Sequence, residues 1–330
     1  MRKLIHLSFL MFAPAVLFAQ DVKKINIDGI TLSVSTSWSA QVFHIVDQLS
    51  LWSVYSHKEY TRWAATNLKP DKADSALLQQ HAAIRRAHQK SAELDRALLT
   101  DLPIEEEISG AVADKYLSVE EGAAEQAVLL HFAERLSILK PLSASQAGSF
   151  FNMLEAHRAE TAAFVAKLVS FTETTGEVTV PVYLVADPDE KNGGGEANGG
   201  IIVVETRNNS DDLPVLMHES LHFLLKPYQE KIRIAAEAAG VDPQVINEGL
   251  AYGMGGLIEN PDKLPNMVVQ NITGGRGAAD RYTQFYMAGL AARPMLRDAL
   301  AKGETLSTLL PKFIKKWQTL NGIKTPDIKK

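Results

Sequence analysis

The chain has 330 residues, nine histidines, no cysteine and a formal net charge of −5. That mild acidity leaves no electrostatic footprint for nucleic acid or an anionic membrane. The lack of cysteine excludes disulfide staples and thiolate ligands, so any metal site has to be built from His, Asp and Glu.

Arg2 and Lys3 followed by an apolar stretch over 4–18 and a small residue, Ala19, predict a secretory signal over 1–20. The mature chain would then begin near Gln20 or Asp21 and be secreted or periplasmic. No later segment holds about 18 uninterrupted apolar residues, so no membrane insertion is expected once the signal is removed. The remaining length can bury a sizeable core in one bilobed unit or two domains.

Residues 22–35 alternate loosely around Asp28-Gly29 and predict a short hairpin. From Ser39 the spacing becomes helical, with Val42, Val46, Leu49 and Trp52 as a core stripe. Further helical stretches are expected around 73–99, 121–139 and 143–172, and Glu105-Glu106-Glu107 as a solvated charge run. The region 21–175 is thus mostly helical, and a composition shift at Thr175-Gly176 opens a second region, 176–330. There 178–185 predicts a strand, with Pro181 favouring an edge or a bulge. The glycine-rich stretch 187–200 is expected to be a loop and a candidate flap over a cleft, and 201–206 a second strand. The whole predicts a predominantly helical α+β fold.

Asp211-Asp212-Leu213-Pro214 combines a capping acid with a first-turn proline, so a helix should start there and run to Ala239, ahead of Gly240. Inside it stands His218-Glu219-Ser220-Leu221-His222. Histidines four apart on a helix share a face, and that spacing lets both imidazoles reach one zinc ion while Glu219 is placed to handle a water molecule. Asp242-Pro243 opens a second helix carrying Glu248 and Tyr252. Glu248 is the leading third ligand, with Glu230, Glu237 and Asp242 as rivals. The same spacing makes Glu219 a general base that takes the water's proton and passes it to the leaving amine. Tyr282 and Tyr286 are candidate donors to the developing oxyanion. The histidines at 44, 57, 81, 88, 131 and 157 have no ligand-like spacing and are expected to be structural or superficial.

The pair His218-Glu219-Ser220-Leu221-His222 and Asn247-Glu248-Gly249-Leu250-Ala251-Tyr252 resembles the gluzincin metallopeptidases, the group of thermolysin and the zinc aminopeptidases. The resemblance implies a Zn2+ cofactor held by His218, His222 and Glu248, with Glu219 as base and a zincin-like active-site helix. Tyr286 and Gly289, three apart, resemble the segment that supplies the transition-state tyrosine in the aminopeptidases of this group, which favours Tyr286 over Tyr282. Such enzymes usually pair bound peptide with the strand ahead of the active-site helix. That makes Ile202, Val203 and Val204 the expected substrate-binding residues. The resemblance covers about 178–290 and is specific at its two motifs. It departs from the group in three places: 25 residues separate His222 from Glu248, Tyr252 stands where thermolysin-like enzymes carry an aspartate, and the helical first half matches no gluzincin N-terminal domain.

The expected function is therefore an exported zinc-dependent peptidase acting on a peptide or protein substrate. The alternatives are an inactive zinc-binding scaffold and a zinc hydrolase of a non-peptide amide such as a cell-wall component. The helical region 21–175 is left as a substrate-covering lobe, an interaction module or an inhibitory pro-segment.

Overall fold

The computed structural model describes residues 22–27, 30–53, 56–88, 92–191, 193–208, 212–255 and 281–320. The predicted signal segment lies outside the described residues. The fold is predominantly helical α+β. Five strands, β1 (Val22–Ile27), β2 (Ile30–Thr36), β3 (Val178–Ala186), β4 (Gly195–Asn198) and β5 (Ile201–Thr206), form one sheet in the order β1-β2-β3-β5-β4. The outer pairs, β1–β2 and β4–β5, are antiparallel, and β2–β3 and β3–β5 are parallel.

The parallel β2–β3 step needs a crossover, and eight helices provide it. These are α1 (Trp38–Ser50), α2 (Lys58–Asn67), α3 (Lys72–Ala87), α4 (Ala92–Leu98), α5 (Ile104–Ala113), α6 (Val119–Arg135), α7 (Lys140–Ala156) and α8 (Arg158–Phe171). The sheet is therefore built from both sides of residue 175: β2 comes from the helical first region and pairs with β3 along its whole length. The first region thus supplies an interior strand of the sheet.

Side chains alternate across a strand, and here both faces are apolar. Leu32, Val34, Val180, Val182, Leu184, Ile202 and Val204 join one core with α7, α8 and the C-terminal helices. Tyr183, Val185, Ile201 and Val203 join a second core with α1 to α6. Double burial explains why 178–185 and 201–206 read as continuous apolar runs. β3 is interior, not an edge, yet Pro181 is tolerated because the β3–β5 ladder starts only at Val182.

The C-terminal half continues as α9 (Leu213–Leu225), α10 (Gln229–Ala238), α11 (Pro243–Gly255), α12 (Arg281–Lys302) and α13 (Leu306–Leu320). The helix expected to run to 239 breaks at a single 3-10 turn, Lys226–Tyr228, where Pro227 lacks the donor for a continuous helix. Asp212 occupies the N-cap position of α9, but its carboxylate accepts from the backbone and side chain of Arg207 instead of capping. Asp242 does cap α11, accepting from the Gln244 N–H at 2.9 Å. α11 and α12 approach closely through small residues. A Cβ on Gly249 would meet Ala288, and one on Gly253 would meet Ala292 and Leu296. A mid-helix glycine costs about 0.5–1 kcal/mol relative to alanine; here it permits the close approach that carries Glu248 towards α9.

The charge run 105–107 divides. Glu105 and Glu106 are exposed, while Glu107 is buried and accepts from the Thr100 hydroxyl at 2.6 Å. Burial pushes the Glu107 carboxyl up to about 7.

Candidate metal centre

α9 and α11 lie side by side, and the site forms where they meet. His218 and His222 stand one turn apart on α9, with their Nε2 atoms 3.0 Å from each other. Glu248 enters from α11, its Oε2 3.4 Å from His222 Nε2 and 3.7 Å from His218 Nε2. These three offer ligand atoms all within 4.8 Å of one another, and among the described residues they are the group that could hold a metal ion. Nitrogen and oxygen ligands about 2.0–2.2 Å from a tetrahedral zinc stand roughly 3.3 Å apart. The observed spacing fits that requirement. So does the chemistry: two imidazole nitrogens and a carboxylate oxygen converge on one point, where a cation satisfies all three. Burial alone would push the Glu248 carboxyl up, but hydrogen bonds from His218 and His222 and their charge hold it down at about 2. It is thus ionised, as a ligand has to be.

The other nitrogen of His222 has its own partner. Nδ1 lies 3.3 Å from Asn247 Nδ2, and Asn247 Oδ1 is buried without a hydrogen bond. A half-turn of the amide puts that oxygen against Nδ1–H, the arrangement that fixes a histidine ligating through Nε2. His218 is steadied differently. The Tyr252 ring packs edge-on against it at 4.5 Å between centroids, and Tyr286 from α12 lies 4.3 Å beyond Tyr252. Burial, then the charges of Tyr286 and Glu248, push the Tyr252 hydroxyl well above its usual value, so it remains a donor. Gly289 is where α12 touches this pair, since a Cβ there would meet Tyr252 Cβ at 2.7 Å. The side chain of Tyr282 lies outside the described residues.

Glu219 lies against the sheet. It is 6% exposed, and its Oε1 is 3.9 Å from His218 Nε2. Burial raises its proton affinity against the opposing charges of His218 and His222. Above it runs β4. A Cβ on Gly195 would come within 2.9 Å of Glu219 Cγ, 2.8 Å of Val215 Cγ1 and 2.8 Å of the Val203 carbonyl oxygen. Only glycine allows the strand this close.

The structure does not leave β5 free for the expected peptide pairing. Ile202, Val203 and Val204 are fully buried, and β5 is paired on both edges, by β3 and β4, so it has no backbone groups to offer a substrate. β4 is the terminal strand, and among the described residues nothing pairs with its outer edge. Part of the stretch expected as a loop is thus a strand, turned by Gly199 and Gly200 at φ +58° and +88°. Two positive-φ residues in a two-residue turn match the right-handed twist of a hairpin. The rival ligands lie elsewhere: Glu230 and Glu237 pair with Arg233, and Asp242 with Arg281.

Asn247, Tyr252 and Gly195 were not singled out as site residues from sequence. Their signals were partial: Asn247 adjoins Glu248, Tyr252 is four residues on and stands where thermolysin-like enzymes carry an aspartate, and Gly195 closes a triple glycine in the stretch expected as a loop and candidate flap. Comparison with protein-family models, curated proteins and solved structures found no match.

Proposed function

We propose that this chain is an exported zinc-dependent peptidase of the gluzincin type. The observation that carries the proposal is the convergence of His218, His222 and Glu248, with the buried carboxylate of Glu219 beside them under an open sheet edge.

In this reading the three residues hold zinc, which when bound polarises the scissile carbonyl and acidifies a water molecule. Glu219 accepts the proton of the attacking water and delivers it to the leaving amine. Its burial suits both halves of that task, because a raised proton affinity makes it a stronger base than an exposed glutamate. Asn247 holds the His222 ring and Tyr252 the His218 ring, limiting their rotation. The hydroxyls of Tyr252 and Tyr286 supply donors to the oxyanion at the rim of the site. The outer edge of β4 offers backbone N–H and C=O groups to an extended peptide, a mode with weak side-chain demands.

The test combines metal analysis with turnover. The mature chain should hold one zinc and cleave a broad peptide library, and a chelator should stop the cleavage. Glu219→Gln should abolish cleavage with zinc retained, and Glu248→Ala should lose most of the zinc. Full zinc in Glu248→Ala, or cleavage by Glu219→Gln, would remove the assignment.

A further inference from the structure

β4 is four residues long and is paired along one edge, so the sheet alone holds it weakly. What fixes it comes from the helical first region. Gly195 and Ala197 face α9 and the C-terminal core, so Glu196 and Asn198 face the other way. Glu196 Oε1 lies 3.4 Å from His44 Nδ1 of α1. His44 is 2% exposed, and its Nε2 is 3.0 Å from Oε1 of Glu205, the buried β5 carboxylate to which the Tyr60 hydroxyl of α2 also donates at 2.8 Å. One residue pair further along, Asn198 Nδ2 donates to Asp95 Oδ2 of α4 at 2.5 Å. Asp95 is anchored in turn by Arg85 Nη2 at 2.6 Å, and Arg85 by Asp47. At the hairpin turn Arg96 Nε donates to the Gly199 carbonyl at 2.7 Å. A Cβ on Gly199 would run into the Ala92 carbonyl, so α4 is seated directly on the turn.

We propose that the helical region is the positioning lobe of the site: His44 and Asp95, acting through Glu196 and Asn198, fix β4 over Glu219 and thereby set how tightly an extended peptide is held. This rests on the peptidase reading. It assigns a role to buried ionic groups that lie on the far face of the sheet from the metal ligands. A fully buried ion pair is weak evidence for added stability; holding one short strand in one place accounts for its location.

The experiment uses the full mature chain loaded with zinc and two probes. Acetohydroxamate engages the metal and Glu219 alone. A tetrapeptide hydroxamate adds a backbone able to pair with β4. Asn198 is exposed and Glu196 partly so, which makes Asn198→Ala and Glu196→Gln tolerable to the fold. Each should weaken the tetrapeptide hydroxamate tenfold or more while leaving acetohydroxamate affinity and zinc content unchanged. In turnover the same variants should raise KM more than they lower kcat. Equal weakening of both probes, or no weakening of either, would overturn the positioning role. If wild-type protein binds the two hydroxamates equally, β4 pairs with no peptide and the positioning role falls, while acetohydroxamate binding leaves the metal-site reading standing. If it binds zinc and neither probe, the peptidase reading is what fails.

Discussion

Gly195 on β4 lies against Glu219 on α9, so close that a single added methyl would meet the carboxylate's stem, Val215 and a backbone carbonyl. Two of those neighbours are side chains, but the Val203 carbonyl belongs to the adjacent strand and cannot yield. Gly195→Ala should therefore push β4 off the site. We expect catalytic efficiency to fall about 100-fold or more, in line with the cost of an ångström-scale misplacement. Zinc content should stay at wild-type level. Steady-state kinetics beside elemental analysis checks this, and wild-type kinetics would show that the strand does not bear on the chemistry.

Asn247 touches the nitrogen of His222 that faces away from the ligand cluster. Removing a partner of that kind commonly costs 10–100-fold in metal affinity. Asn247→Ala should weaken zinc binding by about that factor, measured by competition with a chromogenic chelator. Asn247→Asp, which keeps an acceptor, should recover most of it.

Tyr252 contacts both His218 and Tyr286, so the two tyrosines act together. Tyr252→Phe and Tyr286→Phe keep the rings and remove the donors. If either hydroxyl serves the oxyanion, its loss should lower kcat by about 100- to 1,000-fold with little change in zinc content. The double variant should cost less than the product of the two single losses, as groups acting as a unit do.

The His44–Glu205 pair gives the fold a pH signature. Burial would lower the His44 pKa, but hydrogen bonds and charge from Glu196 and Glu205 raise it from 6.5 to about 10. Its contribution to stability is therefore complete below pH 6.5 and is lost as pH rises through about 10. Glu205 is the reverse case. Burial would raise its pKa, yet His44 and His57 hold it well below 4.5, so its contribution is present above pH 4.5 and lost in stronger acid. His81, raised to about 9 between Glu125 and Asp47, adds to the alkaline decline. Urea midpoints should fall between about pH 6.5 and about pH 10. His44→Gln should be less stable at neutral pH and show a shallower alkaline slope; an unchanged slope would mean that His44 does not carry the charge.

The local elements were legible where one short segment carries its own signal. The hairpin at 22–35, the runs that became β3 and β5, and the helices starting at Leu213-Pro214 and Pro243 follow from periodicity and proline placement, with capping realised at Asp242 and not at Asp212. The extent of those elements was less legible. α9 stops at Lys226–Tyr228 because a proline inside a helical pattern removes a backbone donor, although the hydrophobic spacing continues past it. β4 was hidden because four residues with two polar side chains and a leading glycine have no strand propensity. Its pairing with β5 and its seat on α4 make it a strand. His44, Tyr60 and Glu205 are 16 and 145 residues apart and meet only because α1, α2 and β5 pack on one another.

By itself the sequence determined the candidate donor pair and its spacing on one helix: with no cysteine, and with His218 and His222 four apart, the proposed metal chemistry follows from residue type and helical period. It could not decide which carboxylate joins them. The motif at 247–252 made Glu248 the leading candidate over Glu230, Glu237 and Asp242, but its approach to the two histidines depends on the packing of α11 on α9 and on the small-residue contact of α11 with α12. Nor could it decide which strand is the open edge of the sheet. Alternation along β5 gives both faces as apolar, but an edge is a property of the sheet order, and that order exists only once β2 from the first region has paired with β3.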